Sequence, residues 1–419
     1  AIDSGCLIQR NEQFTDYLHN GIEVSYYDGQ EQRSSIVSLI DYDFAREGRR
    51  DRNTYHVVNQ WTFTEQSEKR ADIIVFVNGL PLVVIELKSP SREETDASDA
   101  YLQLRNYMQE IPSLFTYNAF CVMSDMACSK AGTISSSEDR YMEWKTKDGL
   151  TVNNEHVDYD TFFEGIFNRK RFLDIIRNFL CFSEEELKTT KILTAYHQYF
   201  AVNKAVERTM EAVGKTGKIG VFWHTQGSGK SLSMGFYAKK LLSALNRPTI
   251  VVITDRNDLD EQLFSQFSKC RNFLRQTPVQ AHSREDLKLL LHGREANGII
   301  FTTMQKFTES SEPLSIRSNI VVMADEAHRG QYGFEEKVDA ETGRVSVGAA
   351  RRVHDSLPNA SYIGFTGTPI SSKDRDTQEV FGNYIDIYDM TQAVADDATR
   401  PVYYESRVVN LNLKPDVLK

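Results

Sequence analysis

No apolar run in this sequence reaches the length that a bilayer-crossing helix needs, so a helical membrane protein is excluded. The opening residues, AIDSGCLIQRNEQF, lack the basic-then-apolar layout of a secretory signal; since position 1 is not methionine, a preceding piece is expected to have been removed. Cysteine is scarce. Cys6, Cys121, Cys128, Cys181 and Cys270 make an odd number with no CxxC pair, which argues against a disulfide framework and a thiolate zinc site. A reducing compartment, the cytoplasm, is the expected location. Excess positive charge is also missing: the formal net charge is −10, so the chain as a whole does not attract DNA or anionic membranes. Short basic runs at Arg46, Arg49, Arg50 and Arg52, and at Lys69 and Arg70, read as solvated surface. No internal repeat or low-complexity tract is visible.

What is present is the composition of a folded globular chain, 40% hydrophobic and 26% charged over 419 residues, enough for two to three domains. The first strong pattern is ADIIVFV, Asn78-Gly79, LPLVVIELK: two β-branched runs about a turn dipeptide, a hairpin at the heart of a sheet. An amphipathic helix follows, with apolar positions at Tyr101, Leu102, Leu104, Tyr107 and Met108. Next come a strand, NAFCVMSD, a polar Ser-rich stretch, and a helical segment with Phe163, Ile166, Phe167, Phe172, Ile176 and Phe179 as core. The charged stretch 183–190 reads as a link between an N-terminal unit, 1–182, and a second region, 191–400. In that region short apolar strands alternate with helices, the rhythm of a parallel sheet wrapped by helices, whose functional groups sit where strands end and helices begin. The fold class is therefore α/β throughout.

Within the second region, strand IGVFW runs into HTQGSGKS and a helix. The backbone of Thr225, Gln226, Gly227, Ser228 and Gly229, with the helix N-terminus, is suited to cradle phosphates. Lys230 would reach the terminal phosphates of ATP, and Ser231 would hold magnesium through its hydroxyl. His224 stands where the general phosphate-loop pattern has its first glycine. At the end of another apolar strand lies Asp325-Glu326; the aspartate suits a magnesium role and the glutamate suits orienting the attacking water.

The hairpin holds a second set of charges. Glu86 and Lys88 share one strand face by alternation. Asp72 joins them only if the register across the turn is odd: an even loop turns it away, whereas a three-residue loop with a glycine bulge sets it opposite Glu86. The odd register is expected, since opposite charges ending so apolar a strand would be costly without a use. Asp72 and Glu86 would then bind Mg2+, with Lys88 positioning water and offsetting phosphate charge.

These blocks resemble known families. HTQGSGKS, VVITDRNDLDEQL, IIFTTMQKF, DEAHR and GFTGTP, in that order over about 195–400, are similar to the motifs of superfamily-two helicases and translocases. The resemblance implies a first RecA-like lobe, with Gln198 at the adenine edge, His328 relaying between lobes, and Thr366, Gly367 and Thr368 coupling nucleotide state to DNA. It also implies a second lobe, so 401–419 is expected to begin a connection toward it. The hairpin resembles the PD-(D/E)xK nuclease fold with Ala71 at its proline position, and Gln103 and Tyr107 resemble the helix motif that contacts DNA in the RecB-type branch. Glu12 is a candidate for an additional metal-binding acid on an N-terminal helix. The combination resembles the restriction subunits of type I restriction–modification enzymes. That resemblance implies ATP- and Mg2+-dependent translocation and cleavage of double-stranded DNA, with methyltransferase and specificity subunits as partners and S-adenosylmethionine used only by them. A repair-type helicase–nuclease that processes DNA ends is the alternative.

Overall fold

The computed structural model describes residues 2–400 apart from 3–4, 44–48, 90–96, 126, 155–157, 186–187, 255–256, 294, 308–311, 328–335, 339–344 and 369–373. The chain opens with helix α1 (Leu7–Asn20) and an antiparallel pair, β1 (Ile22–Tyr27) with β2 (Gln32–Val37). A five-stranded sheet follows: β3 (Tyr55–Thr64), β4 (Glu68–Val77), β5 (Leu80–Leu87), β6 (Phe120–Ser124) and β7 (Ser129–Gly132), side by side in that order. All neighbours are antiparallel except β5 and β6, joined by the crossover of α2 (Ala97–Glu110) and α3 (Pro112–Thr116). The front of the Ser-rich stretch is thus an edge strand. Its polar residues still find partners, with Ser129 and Ser124 sharing a hydroxyl contact of 2.8 Å.

The aromatic segment forms two helices, α4 (Tyr159–Phe167) and α5 (Arg169–Asn178), with the break at Asn168, whose side chain caps α5 by accepting from Arg171 N. A two-stranded hairpin, β8 (Leu180–Glu185) with β9 (Lys188–Leu193), comes next and occupies the charged stretch that reads as a link. Its polar end is tied to the second region by Glu184–Arg271 (3.1 Å) and Glu185–Lys269 (2.9 Å) ion pairs.

Beyond it, α6 (Tyr196–Ala212) leads to a seven-stranded parallel sheet built from β10 (Lys218–His224), β11 (Thr249–Thr254), β12 (Val279–Gln280), β13 (Ile299–Thr303), β14 (Ile320–Ala324), β17 (Ser361–Thr366) and β18 (Tyr384–Tyr388). The order is β12-β13-β11-β14-β17-β10-β18. Helices α7 (Lys230–Ala244), α8 (Asn257–Lys269), α9 (Arg271–Leu274), α10 (Arg284–His292), α11 (Ala349–Ser356), α12 (Asp374–Phe381) and α13 (Met390–Ala395) make the connections, and a short antiparallel pair, β15 (Glu336–Val338) with β16 (Val345–Val347), precedes α11. Central strands such as Thr249–Thr254 are buried along their whole length, as expected where helices cover both faces.

One hydrophobic core crosses from the first unit to the second. Val75, Val83 and Phe120 of the front sheet, Phe172, Ile176 and Phe179 of α5, and Phe222, Phe236 and Ile250 of the second sheet belong to one continuous cluster. Polar contacts reinforce the seam. Lys240 of α7 meets Asp174 of α5 at 2.8 Å, and the fully buried Lys191 of β9 donates to Asn11 Oδ1 (2.8 Å) and to Asn118 O (2.7 Å).

Candidate nuclease and nucleotide sites

The front site is set by a turn and a bulge. Asn78 (φ 51°) and Gly79 (φ 81°) form a two-residue turn in left-handed backbone, pairing Val77 with Leu80 and Phe76 with Pro81. That loop is even and would turn Asp72 away from Glu86. The register then slips by one residue: Val75 pairs with Val83, and Ile73 with Ile85, leaving Leu82 as the extra residue on β5. Continued by one step, the shifted register puts Asp72 opposite Glu86. The odd register thus exists, but through a two-residue turn and a bulge instead of a three-residue loop.

Asp72 lies inside β4, with both carboxyl oxygens engaged: Oδ2 accepts from Leu87 N and Oδ1 from Gln60 Nε2, each at 2.9 Å. Glu86 is 1% exposed. One of its oxygens takes Lys88 Nζ at 3.3 Å, while the other, Oε2, is buried with no hydrogen-bond partner. Burial raises its carboxyl to about 7; the Asp72 charge pushes the same way and Lys88 opposes. Helix α2 covers this sheet face with Ala100, Leu104, Tyr107 and Met108. It thereby brings Gln103 to accept from Lys88 Nζ and to donate to Tyr107 Oη (2.6 Å), whose hydroxyl donates to Arg70 O (3.1 Å). The five residues singled out in the sequence, Asp72, Glu86, Lys88, Gln103 and Tyr107, stand together, joined by Gln60, which the sequence did not flag.

At the second site, β10 ends at His224 and the chain turns through Thr225–Gly229 into α7. Two glycines are required here. Gly227 (φ 84°) would set a Cβ 2.8 Å from Thr399 Cγ2, and Gly229 (φ 80°) would set one 2.5 Å from Gln198 Nε2. Gln198, near the start of α6, accepts from Ala195 N (3.0 Å) and donates to Gly229 O (3.1 Å), so its amide is locked onto the loop. Lys230 Nζ lies 3.4 Å from Glu326 Oε1 and would lie 2.8 Å from a Cβ on Gly367. The sheet order explains this convergence: β14 and β17 are adjacent and β17 borders β10, so Asp325-Glu326 and Thr366–Thr368 follow strands that end beside the loop. Glu326 takes a left-handed φ of 50°, a conformation that costs a non-glycine residue about 1 kcal/mol or more.

The residue in place of the first loop glycine is explained by its surroundings. His224 is wholly buried and meets Asp386 of β18 at 3.0 Å, and Asp386 pairs with Lys204 at 2.7 Å. Burial alone would raise Asp386; the hydrogen bond from His224 and the Lys204 charge outweigh it and hold the carboxyl low. Burial drives His224 down despite Asp386. His197 completes the layer, stacking on Tyr388 with ring centres 3.9 Å apart and bonding to Ser228 O at 3.1 Å.

This geometry finds its counterparts in sequence families. Residues 197–419 match the SWI2/SNF2 ATPases, and residues 1–140 match the type I restriction enzyme R protein N terminus. The chain belongs to the SWI2/SNF2 ATPase family. Among curated relatives it is 44% identical to the type I restriction enzyme HindI endonuclease subunit of Haemophilus influenzae, covering 98% of this chain and 40% of that protein. It is 29% identical to the type I restriction enzyme SauCOLORF180P endonuclease subunit of Staphylococcus aureus, covering 82% of this chain and 35% of the relative. The chain thus spans about two fifths of the length of the curated relatives it matches. A solved SWI2/SNF2 ATPase core from Sulfolobus solfataricus in complex with dsDNA is 15% identical, with TM-score 0.30, over 44% of this chain and 34% of that one.

Glu12 lies apart from Asp72 and Glu86: its carboxyl lies with Glu184, Asn272 and Asp16 at the seam, where burial and Glu184 raise it. Helix α1 packs against α3, α5 and β9, and Leu7 and Ile8 at its start touch the apolar cluster beneath α2. His328 and residues 401–419 lie outside the described residues.

No local signal marks the residues that tie the N-terminal unit to the 225–229 loop. Lys145, 5% exposed, donates to Ala395 O (2.7 Å) and pairs with Asp396 at 3.0 Å; Asp396 also accepts from Tyr196 (2.6 Å) and Tyr388 (2.7 Å). Three residues on, Thr399 sits over Gly227. No spacing signal marks Lys145 or Asp396. His224 was a usable clue, since a buried histidine in a phosphate loop calls for a buried acid. Among the described residues no helix is long and apolar enough to cross a membrane, and no cluster of three or more metal-ligating side chains occurs.

Proposed function

We propose that this chain is the nuclease and first motor lobe of a type I restriction subunit, which moves duplex DNA with ATP and cleaves unmodified DNA with a divalent metal. One observation supports this reading above the rest. A desolvated carboxylate facing a second acid, with an amine beside it, stands on the front sheet of a chain whose other sheet carries a phosphate loop.

We assign the nuclease to 1–182, the link to 183–190, which lies within the β8–β9 hairpin, and the motor lobe to 191–400, with 401–419 leading toward a second lobe. The metal fits the residues present. Glu86 Oε2 is buried without a partner beside a like charge, an arrangement a cation relieves, and Asp72 and Glu86 would hold Mg2+. When bound, the ion supplies Lewis acidity and an acidified water. Lys88 offsets phosphate charge, and Gln103 and Tyr107 hold Lys88 and contact DNA near the cut. In the motor, residues 225–229 cradle the ATP phosphates and Gln198 reads the adenine edge. Lys230 neutralises the terminal phosphates; Ser231 and Asp325 hold the ATP-bound Mg2+; Glu326 orients the attacking water; and Thr366, Gly367, Thr368 and His328 pass nucleotide state to DNA.

Methyltransferase and specificity subunits are the proposed partners. They would select the site and use S-adenosylmethionine, in the cytoplasm, which suits a chain with net charge −10. The decisive experiment assembles the full-length subunit with its methyltransferase and specificity partners on unmodified circular DNA. Lys230→Ala should abolish ATP-dependent cutting, whereas Glu86→Gln should abolish cutting and spare ATP turnover. Cutting of DNA ends without the partner subunits would instead favour the repair-type reading.

A further inference from the structure

A cleft of about 510 Å³ lies between the two units, well away from both sites. Its walls come from the ends of α1 and α5 on one side and from the C-terminal part of α7, the end of α9 and the loops before β11, β12 and β13 on the other. Helix α7 starts at the phosphate loop and rises about 1.5 Å per residue, so its far end stands roughly 20 Å from Lys230.

The lining is one-sided in charge. Arg177, Lys239, Arg247 and Arg275 all face the cleft, no carboxylate lines it, and amides such as Asn178 and Gln276 supply further polar groups. Among the described residues none of the four cations has a carboxylate within ion-pair distance. Arg275 donates to Asn20 Oδ1 (3.0 Å), Lys239 donates to Phe273 O (2.7 Å), and the guanidinium of Arg177 lies 5.0 Å from the centre of the Tyr42 ring. His19 binds Ile176 O at 2.6 Å, and burial keeps it neutral. Asp16, the acid whose charge reaches Lys239, is itself bonded to Asn20. Burial first, and then the charges of Arg275 and Arg177, push Lys239 down to about 8 against the opposing charge of Asp16. Two of the four also hold unfavourable backbone: Arg247 has φ 62° and Arg275 φ 54°. Four converging cations with amides between them, on an acidic protein, form a concave receptor for a group carrying several negative oxygens.

We propose that this cleft binds a phosphate-bearing anion, presented either by a nucleic-acid backbone or by a free polyphosphate chain, and that the bound anion clamps the two units together. The test uses the full chain carrying Lys230→Ala, so that the phosphate loop does not contribute, with sodium tripolyphosphate and a short blunt DNA duplex as probes. Tripolyphosphate should bind in calorimetry and raise the unfolding midpoint. Changing both Arg247 and Arg275 to glutamine should weaken that binding at least about tenfold without lowering the ligand-free midpoint, because the four-way repulsion is relieved. Arg247→Glu, a change at an exposed side chain, repeats the test if Arg275 proves necessary for folding. Displacement of tripolyphosphate by the duplex identifies backbone phosphate as the natural occupant; binding that the duplex leaves untouched identifies a free polyphosphate. Failure of both probes to bind, or equal binding by wild type and variants, overturns the assignment and leaves the cations as neutralisers of nearby helix carbonyls.

Discussion

At Glu86 the cost of the proposed metal site can be measured in the metal-free protein. Its folded carboxyl sits at about 7 against an ordinary 4.5, so the folded state holds this proton more tightly than the unfolded chain. The stability it contributes is full below pH 4.5 and is lost as pH rises through about 7, a loss of about 3 kcal/mol. In chelator, thermal melts of wild type should therefore fall over that window relative to Glu86→Gln; parallel pH profiles would show that the carboxyl is not desolvated as described. Magnesium at neutral pH should raise the wild-type midpoint and leave Glu86→Gln unmoved. A second residue-scale test uses Gly367. A methyl there displaces only the flexible tip of Lys230, so Gly367→Ala should fold normally yet raise the KM for ATP several-fold. An unchanged KM would separate Gly367 from the nucleotide. The residues that gather at the two candidate sites were legible in side-chain type and spacing: Gly229-Lys230-Ser231 and Glu86-Leu87-Lys88 announce themselves. Gln60 and Asp386 were not, because each matters through a partner distant in sequence, and a lone amide or aspartate in a strand carries no periodic signal.

At the scale of elements, strand and helix types followed from patterning, while register and boundaries did not. The Asn78-Gly79 turn was readable, but the slip at Leu82 was not: every residue from Leu80 to Ile85 is apolar or proline, so alternation gives no warning of an extra one. The aromatic segment read as one helix because its apolar spacing persists through Asn168, where a side-chain cap starts a second. Lys145 and Asp396 illustrate a further gap, since a buried pair between segments 250 residues apart leaves no local trace. That pair makes its own prediction. Lys145→Met leaves the Asp396 carboxylate buried without its cation and should cost about 3–5 kcal/mol, more than Asp396→Asn, which retains a polar partner for Tyr196 and Tyr388. Denaturant melts check the order. ATP binding should weaken along with stability in Lys145→Met, because Thr399 over Gly227 is anchored through this segment; unaltered nucleotide affinity would uncouple the segment from the loop.

On the scale of the whole molecule, the two units are not beads on a string. Phe172 and Ile176 of α5 and Phe179 at its end belong to a cluster that also takes in Phe236 of α7 and Phe222 of the second sheet, and the β8–β9 hairpin is ion-paired to α8 and α9. A single cooperative thermal transition is expected, observed alike by fluorescence and calorimetry; two well-separated transitions would mean that the seam contributes little. The same seam bears on how such proteins diversify. A crossover between two relatives that joined the N-terminal unit of one to the C-terminal unit of the other would strand half a set of interlocking aromatic rings on each side. Exchanges that carry α5, the hairpin and α7 together should yield working hybrids, and those that cut between them should not.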